Sequence, residues 1–308
     1  MRILLFGSTG QVGWELRRSL SVLGEVIAPG RASGADGLCG DLNNLDGLAA
    51  TIRTVAPAVI VNAAAYTAVD KAETDAASAT RINAEAPARI AQEASALGSW
   101  LLHYSTDYVF DGSGSRPWTE DDPTGPLSVY GQTKLAGEQA VQSHARHIIL
   151  RTSWVYAARG GNFVKTMLRL ATERETVNVI ADQVGAPTSA ELLADVSAQM
   201  LAQALHQPAH AGLYHCAAGG ETSWYGYANY VLEQARALGW ALKVPSGAAV
   251  HAIPTSSYPT PATRPLNSRL NTQRLRTTFG LHLPDWQHGV LRMLQEISPP
   301  PVPRSTST

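Results

Sequence analysis

Arg2-Ile-Leu-Leu-Phe-Gly7-Ser-Thr-Gly10-Gln-Val-Gly13, continuing into Trp14-Glu-Leu-Arg-Arg-Ser-Leu20, decides the fold class. The apolar run before Gly7 reads as a buried strand, and the run after Gly13 has helical periodicity. A glycine-rich turn joins them. Gly7 permits the tight turn, Gly10 lets the backbone approach a pyrophosphate, and Gly13 lets helix and strand pack closely. The helix N-terminus offers free N–H groups to such an anion. The spacing is GxxGxxG rather than GxGxxG, so a tight strand–helix connection without a ligand is the plain alternative.

The alternation continues outward from this unit. Further candidate strands are Glu25–Ala28, Ala58–Asn62, Trp100–Ser105 and His147–Arg151. Helical stretches fall between them at Val12–Leu23, Leu45–Val55, Ala76–Leu97 and Ser128–Ser143. A helix near Leu192–Leu205 and a strand at Gly212–Cys216 are expected to rejoin the sheet. This order specifies an α/β fold: a Rossmann-type, doubly wound parallel sheet covered on both faces. Residues 1–155 plus about 190–220 are assigned to the dinucleotide-binding domain. Residues 156–189 plus 221–298, richer in Pro and Trp, are assigned to a smaller C-terminal substrate-binding lobe. The tail 299–308, Pro-Pro-Val-Pro-rich, has no core-forming pattern and is expected to be flexible.

Composition excludes several functions. Of 308 residues 44% are hydrophobic, enough for a full core, and only 16% are charged, with a net charge of -1. Nucleic acid and anionic membrane are therefore poor partners. Cys39 and Cys216 are the only cysteines, too few for a disulfide framework or zinc cluster. No apolar run reaches membrane-spanning length, and the first strand breaks at Gly7, too early for a signal-peptide core. A soluble cytoplasmic protein is expected.

The chemistry concentrates at the ends of strands, where ligands bind in open parallel sheets. Asn62–Glu73, Ser105–Gly112 and Arg151–Tyr156 each follow a candidate strand. Between the last two lies Tyr130-Gly-Gln-Thr-Lys134. A Tyr and a Lys four residues apart share one helix face. There the ammonium can stabilise a phenolate, whose ordinary pKa of about 10 discourages proton exchange at neutral pH. The chain has only four lysines, which makes the pairing notable. Ser105 or Thr106 can converge with Tyr130 on one reacting oxygen, as a carbonyl accepting hydride at carbon requires. The plain alternatives are a surface Tyr–Lys pair and a capping Ser-Thr.

On these residues the chain resembles the extended short-chain dehydrogenase/reductases. Within them it is similar to the dTDP-4-dehydrorhamnose reductases, from Met1 to about Glu296. The motifs are GSTGQVG (7–13), NAAAYTAVDKAE (62–73), STDYVFDG (105–112), YGQTK (130–134), RTSWVY (151–156) and RPLNSRL (264–270). The first and fourth are shared across the superfamily; the second, third and fifth together are much narrower. The resemblance implies reduction of the C4 ketone of dTDP-4-dehydrorhamnose (dTDP-4-dehydro-6-deoxy-L-mannose) by a reduced nicotinamide dinucleotide. It implies Tyr130 as proton donor, Lys134 on the nicotinamide ribose, and Thr106 on the sugar carbonyl. Tyr108 and Trp154 would flank the sugar, with Thr67, Val69 and Ser105 completing that site. Gly7, Thr9, Gly10, Gln11, Val12 and Gly13 would hold the dinucleotide. Ala63 and Ala64 would let it pass the strand end, and Asp41-Leu42, after the third strand, would sit near the adenine. Some of these reductases dimerise around magnesium held by carboxylates, and Glu15, Glu191 and Glu296 match that pattern. The resemblance thus offers a homodimer bridged by Mg2+ as an alternative to three solvated helix glutamates, the reading slightly preferred.

One departure concerns the cofactor. The second strand ends Val26-Ile-Ala-Pro-Gly-Arg31, without the acid that holds adenosine ribose hydroxyls. Arg31 can pair with a 2′-phosphate, and Asp36 could return as a ribose ligand. NADPH is expected to be preferred, with NADH still usable. Arg264 and Arg269 are candidates for clamping the substrate diphosphate, or for surface salt bridges. His103, in the strand before Ser105, reads as a packed residue. Two other functions share this frame: a nucleotide-sugar epimerase or dehydratase that recycles its cofactor, and a non-catalytic dinucleotide-binding subunit like the methionine adenosyltransferase β subunit. Dehydratases of the superfamily add an Asp-Glu pair after the Thr; here Asp107-Tyr108 follows Thr106. Consumption of reduced nicotinamide separates the three.

Overall fold

Six strands form one parallel sheet. The structure, a computed structural model, describes residues 1–32, 34, 37–245 and 249–298. The tail 299–308 and Asp36 lie outside the described residues. In chain order the elements that build the sheet begin with strand β1 (Arg2–Phe6), helix α1 (Gln11–Ser21), strand β2 (Glu25–Ile27) and helix α2 (Leu45–Val55). Strands β3 (Val59–Asn62), β4 (Trp100–Thr106) and β5 (His147–Thr152) follow. Strand Gly212–His215 closes the far edge, giving the spatial order edge strand–β5–β4–β3–β1–β2. Every neighbouring pair is parallel.

The winding reverses between β1 and β3, because the chain runs from β1 outward to β2 and then returns to the other side of β1. At such a switch point the helices diverge and leave a crevice beyond the carboxyl ends of the strands. Phe6-Gly7 and Asn62-Ala63 end there.

Strand residues are buried on both faces, as a sheet sandwiched by helices requires. Leu4, Phe6, Ile60 and Leu101 pack with Leu48, Ile52 and Ile90 on one side. Ile3, Leu5, Val61, Leu102 and Leu150 pack with Leu16, Leu20 and Leu201 on the other. A separate cluster lies beyond the sheet, where Tyr156, Leu168, Tyr227, Val231, Trp286 and Val290 pack together. It is fed by the helices Phe163–Glu173, Trp224–Ala237 and Trp286–Ile297.

Two local expectations change. The stretch Ala76–Leu97 is not one regular helix: Ala76–Thr80 and Ala86–Leu97 are joined by a π-turn at Arg81–Glu85. The wider turn presents Asn83 sideways. Its Oδ1 accepts from Tyr66 N at 2.8 Å, and its Nδ2 donates to Tyr66 O at 3.1 Å and to Thr133 Oγ1 at 3.2 Å. Second, Asp41 and Leu42 do not follow a third strand; they lie between β2 and α2, ahead of β3. Among the described residues this segment joins no ladder, because its donors are taken locally. Gly40 N donates to Gly30 O at 2.9 Å, and the buried Cys39 N to Thr51 Oγ1 at 2.7 Å.

Candidate active site

The crevice opens into a cavity of about 820 Å³. The glycine-rich turn forms its floor. Gly7 has φ +82°, and a Cβ there would meet Ala64 N at 2.6 Å. Gly13 lies behind the cavity rather than on it: a Cβ would come within 2.0 Å of Gly7 O, so only glycine lets α1 start against the turn. Thr9, Gly10, Gln11 and Val12 face the cavity, as do Ala63 and Ala64. A smaller cavity of about 100 Å³ continues from it, lined by Arg31, Asp41 and Leu42. Arg31 and Ala64 line both. Thr67, Val69, Ser105, Thr106, Tyr108 and Trp154 meet Tyr130 and Lys134 at the opposite end.

The helix Val129–Gln142 starts beside this end because Ser128 caps it, accepting from Gly131 N at 3.2 Å. Its first turn delivers Tyr130 and its second Lys134, both at the carboxyl end of β4. Tyr130 is 9% exposed and Lys134 only 2%. Burial therefore dominates both, favouring the uncharged forms. Burial pushes the Tyr130 phenol up to about 12, with Asp107 adding to the rise and the hydrogen bond with Thr106 opposing it. Burial brings Lys134 down to about 8, with the Glu138 carboxylate opposing. The sequence reading had Lys134 lowering the phenol pKa; here desolvation outweighs any such effect. Lys134 Nζ instead donates to Tyr104 O at 2.6 Å and lies 3.5 Å from His103 Nε2.

His103 is 1% exposed, and burial holds it well below the usual imidazole range, so it is neutral. Ala64 N donates to Asn62 Oδ1 at 3.2 Å, which turns the Asn62 amide N–H toward His103 Nδ1 at 3.2 Å. A chain of buried polar groups thus runs from the end of β3 to the lysine.

Thr106 donates to Asp107 Oδ1 at 3.0 Å and accepts from Tyr108 N at 3.2 Å. Burial pushes Asp107 up to about 6, against the lowering effect of hydrogen bonds from Ser268 and Thr106. Asp107 Oδ2, Ser105 Oγ and Thr152 Oγ1 are buried with no hydrogen-bond partner among the described residues, and all three residues line the cavity. Unpaired buried polar atoms are costly, so their convergence marks a wall built for a polar ligand. Tyr108 sets its ring edge on Tyr130, 5.4 Å between centroids. Trp154 stacks on Trp224 at 3.7 Å and holds a left-handed backbone, φ +50°. Such a backbone is strained for a bulky residue and persists only where its surroundings fix it.

Arg264 and Arg269 are engaged by carboxylates, Asp70 at 2.7 Å and Glu221 at 2.8 Å. Glu15, Glu191 and Glu296 lie away from the cavity. Burial raises the Glu15 carboxyl pKa, with Glu191 and Glu296 adding to the rise and Arg18 opposing it. Glu15 therefore feels the charge of both other carboxylates. Asp107, Asn83, Asn62 and Arg159 had not been singled out from the sequence. Asp107 and Asn62 stand inside quoted motifs, and Asn83 is an Asn within a helical run, a place that residue disfavours.

The family model for the RmlD substrate binding domain matches residues 1–298. A dTDP-4-dehydrorhamnose reductase of Escherichia coli (strain K12) is 56% identical over 298 residues, 96% of this chain and 98% of that protein. The enzyme of the same name from Burkholderia thailandensis is 47% identical over 295 residues, 94% of this chain and 97% of that protein. Among solved structures, a dTDP-4-dehydrorhamnose reductase from Clostridium acetobutylicum superposes with a TM-score of 0.86 at 34% identity, covering 96% of this chain and 99% of that one. One from Bacillus anthracis, in complex with NADP, gives 0.84 at 32% identity with the same coverage, 96% and 99%. These matches run through the sheet and the second cluster alike, not through the dinucleotide-binding frame alone, and the chain belongs to the dTDP-4-dehydrorhamnose reductase family.

Proposed function

We propose that this protein reduces the C4 ketone of dTDP-4-dehydro-6-deoxy-L-mannose to dTDP-L-rhamnose with NADPH. The observation that carries the reading is the convergence of Thr106, Tyr130 and Lys134 on the cavity that the glycine-rich turn also lines. The cofactor, when bound, supplies the hydride to the carbonyl carbon. Tyr130 donates its proton to the oxygen as negative charge develops there. Its raised pKa suits that task, since the phenol arrives protonated at neutral pH. Thr106 holds the oxygen in line, and Lys134 binds the nicotinamide ribose. The second cluster and its loops, with Trp154, form the sugar-nucleotide side, and the six-stranded sheet forms the cofactor side. Pure protein given the dTDP-ketosugar and NADPH should consume reduced nicotinamide and release dTDP-L-rhamnose in equal amounts. Turnover without net loss of NADPH would mean a cofactor-recycling enzyme, and binding without turnover a regulatory module.

NADPH preference is assigned to Arg31, which borders the smaller cavity. No acid ends β2, and Asp41 Oδ1 is occupied by Asn43 N at 3.1 Å. The relative solved with NADP supports the assignment. Arg31→Ala should weaken NADPH binding by about tenfold, the scale of one charge-assisted phosphate contact, and leave NADH nearly untouched. Equal losses for both cofactors in steady-state kinetics would take the 2′-phosphate away from Arg31.

The same reading joins two copies through magnesium at Glu15, Glu191 and Glu296. Oxygen-only ligands suit that ion. Within one chain the set does not fit a metal: Arg292 holds Glu191 at 2.9 Å, Arg18 lies 3.7 Å from Glu15, and among the described residues no three acidic, His or Cys side chains group to hold an ion. A bridge would need carboxylates from both copies. Sedimentation velocity before and after EDTA should then show a dimer becoming a monomer; an unchanged size removes the metal from the interface.

A further inference from the structure

The segment Ala157–Asn162 leaves strand Val155–Tyr156 and crosses the start of α1 before entering the helix Phe163–Glu173. Three contacts fasten it there. Asn162 Nδ2, which also bonds Ala157 O within the segment at 2.7 Å, donates to Gln11 Oε1 at 3.3 Å. Arg159 Nε approaches Thr9 O at 3.4 Å, a long contact. The Arg159 guanidinium lies 4.2 Å from the centre of the Trp14 ring, whose other neighbour is Arg17 at 5.6 Å. Gly160 (φ +76°) and Gly161 follow it, so the backbone on that side is free to adjust.

Arg159 itself lines the large cavity, beside Thr9, Gly10 and Gln11. The charges around that cavity are few: Arg31, Lys134, Arg159 and Asp107. Each cation has its own station. Arg31 stands toward the smaller cavity, and Lys134 is buried at the far end under Tyr130. Arg159 is the one above the glycine-rich turn, and the turn itself, Gly7–Gly13, contains no basic residue. Among the described residues no carboxylate pairs with Arg159, in contrast to Arg53, Arg116, Arg151 and Arg292. A guanidinium kept extended by an indole face and left without a counter-ion is poised for an anion arriving at the helix N-terminus.

We propose that Arg159, carried on the Ala157–Asn162 strap, binds the diphosphate bridge of the dinucleotide. This rests on the reading that the dinucleotide lies on the glycine-rich turn. The backbone N–H groups of α1 then hold one side of the diphosphate and Arg159 the other. The sugar nucleotide also carries a diphosphate, but its ring-binding residues, Thr106, Tyr108 and Trp154, lie at the end of the cavity that holds Tyr130 and Lys134, whereas Arg159 contacts α1 and the turn. A bridge common to NADPH and NADH makes this contact indifferent to the 2′-phosphate, unlike Arg31.

Titration calorimetry on wild type, Arg159→Ala and Arg159→Lys with NADPH, NADH and ADP-ribose tests the assignment. Arg159→Ala should weaken all three by the same factor, about tenfold. Arg159→Lys, which keeps the charge, should recover most of that loss. Binding of dTDP to the NADPH-saturated protein should not change. Unchanged affinities for all three dinucleotide probes overturn the proposal, as does a loss confined to dTDP or to NADPH. Failure of the wild type itself to bind NADPH or NADH would refute the cofactor reading instead, a distinct result.

Discussion

Tyr130→Phe should lower kcat by about two to four orders of magnitude, the range for a positioned general acid. NADPH affinity should change by no more than about twofold, since the removed hydroxyl serves the reacting oxygen and not the binding of the dinucleotide. The ring stays in place because its support is apolar and edge-on: Tyr108 packs against it, and Ala72 and Ala79 lie below. What disappears is the one phenolic proton beside Thr106 Oγ1. Single-turnover kinetics with the dTDP-ketosugar read the chemical step directly. A variant within about fivefold of wild type would move the acid role elsewhere, with Asp107, whose carboxyl burial pushes up to about 6, the nearest replacement.

Arg151→Met should destabilise the fold by about 3–5 kcal/mol. Arg151 Nε and Nη2 grip Glu138 at 2.9 Å and 2.7 Å, and both side chains are almost fully buried, 3% and 1% exposed. The guanidinium also lies 4.9 Å from the Phe110 ring centre. Removing it leaves a carboxylate in a dry interior without its hydrogen-bonded counter-charge, the Lys134 ammonium being its remaining cationic neighbour. The double variant Arg151→Met/Glu138→Leu should regain most of the loss, because the two partners were costly chiefly in isolation. Urea denaturation midpoints measure both. A single variant that loses less than about 1 kcal/mol would show that Glu138 escapes the penalty, by taking up a proton or by reaching water. Glu138 also favours the Lys134 ammonium, so the double variant should fold yet titrate its lysine at lower pH.

The sheet was legible because its information is local. A strand, a glycine turn and a helix announce themselves within the first twenty residues, and the later strands are apolar runs bounded by polar motifs. Placing the chemistry at strand ends followed from the same alternation. What escaped the reading depends on contacts distant in sequence. The π-turn at Arg81–Glu85 answers to Tyr66 and Thr133, neither visible in the helical periodicity of Ala76–Leu97. Asp107 enters the sequence reading only as the residue after Thr106, since only folding buries its carboxylate beside Ser268. Arg159 stands in an aperiodic loop, and only the tertiary fold sets it over Trp14 and Thr9. Burial also bears on the pKa values of Tyr130 and Lys134, and helix spacing reports which groups share a face, not how dry that face becomes. Asp41 lies ahead of β3 because the segment before it is held by local bonds, Cys39 N to Thr51 and Gly40 N to Gly30 O, rather than by a ladder.

The π-turn has a mechanical corollary. Each residue of an α-helix rotates the side-chain direction by about 100°, and a π-turn takes up roughly one residue more than the helix it interrupts. The rod that begins at Ala76 therefore changes phase before it ends at Leu97. Upstream of the turn its inward face is tuned to the loop after β3 and to the helix that carries Tyr130; downstream the face is tuned to the sheet, where Ile90 and Ala94 lie. One element thus contacts the loop after β3, the catalytic helix and the sheet. Asn83 sits at the phase boundary, like a gear tooth cut between two meshing wheels, and ties the catalytic helix to the loop after β3.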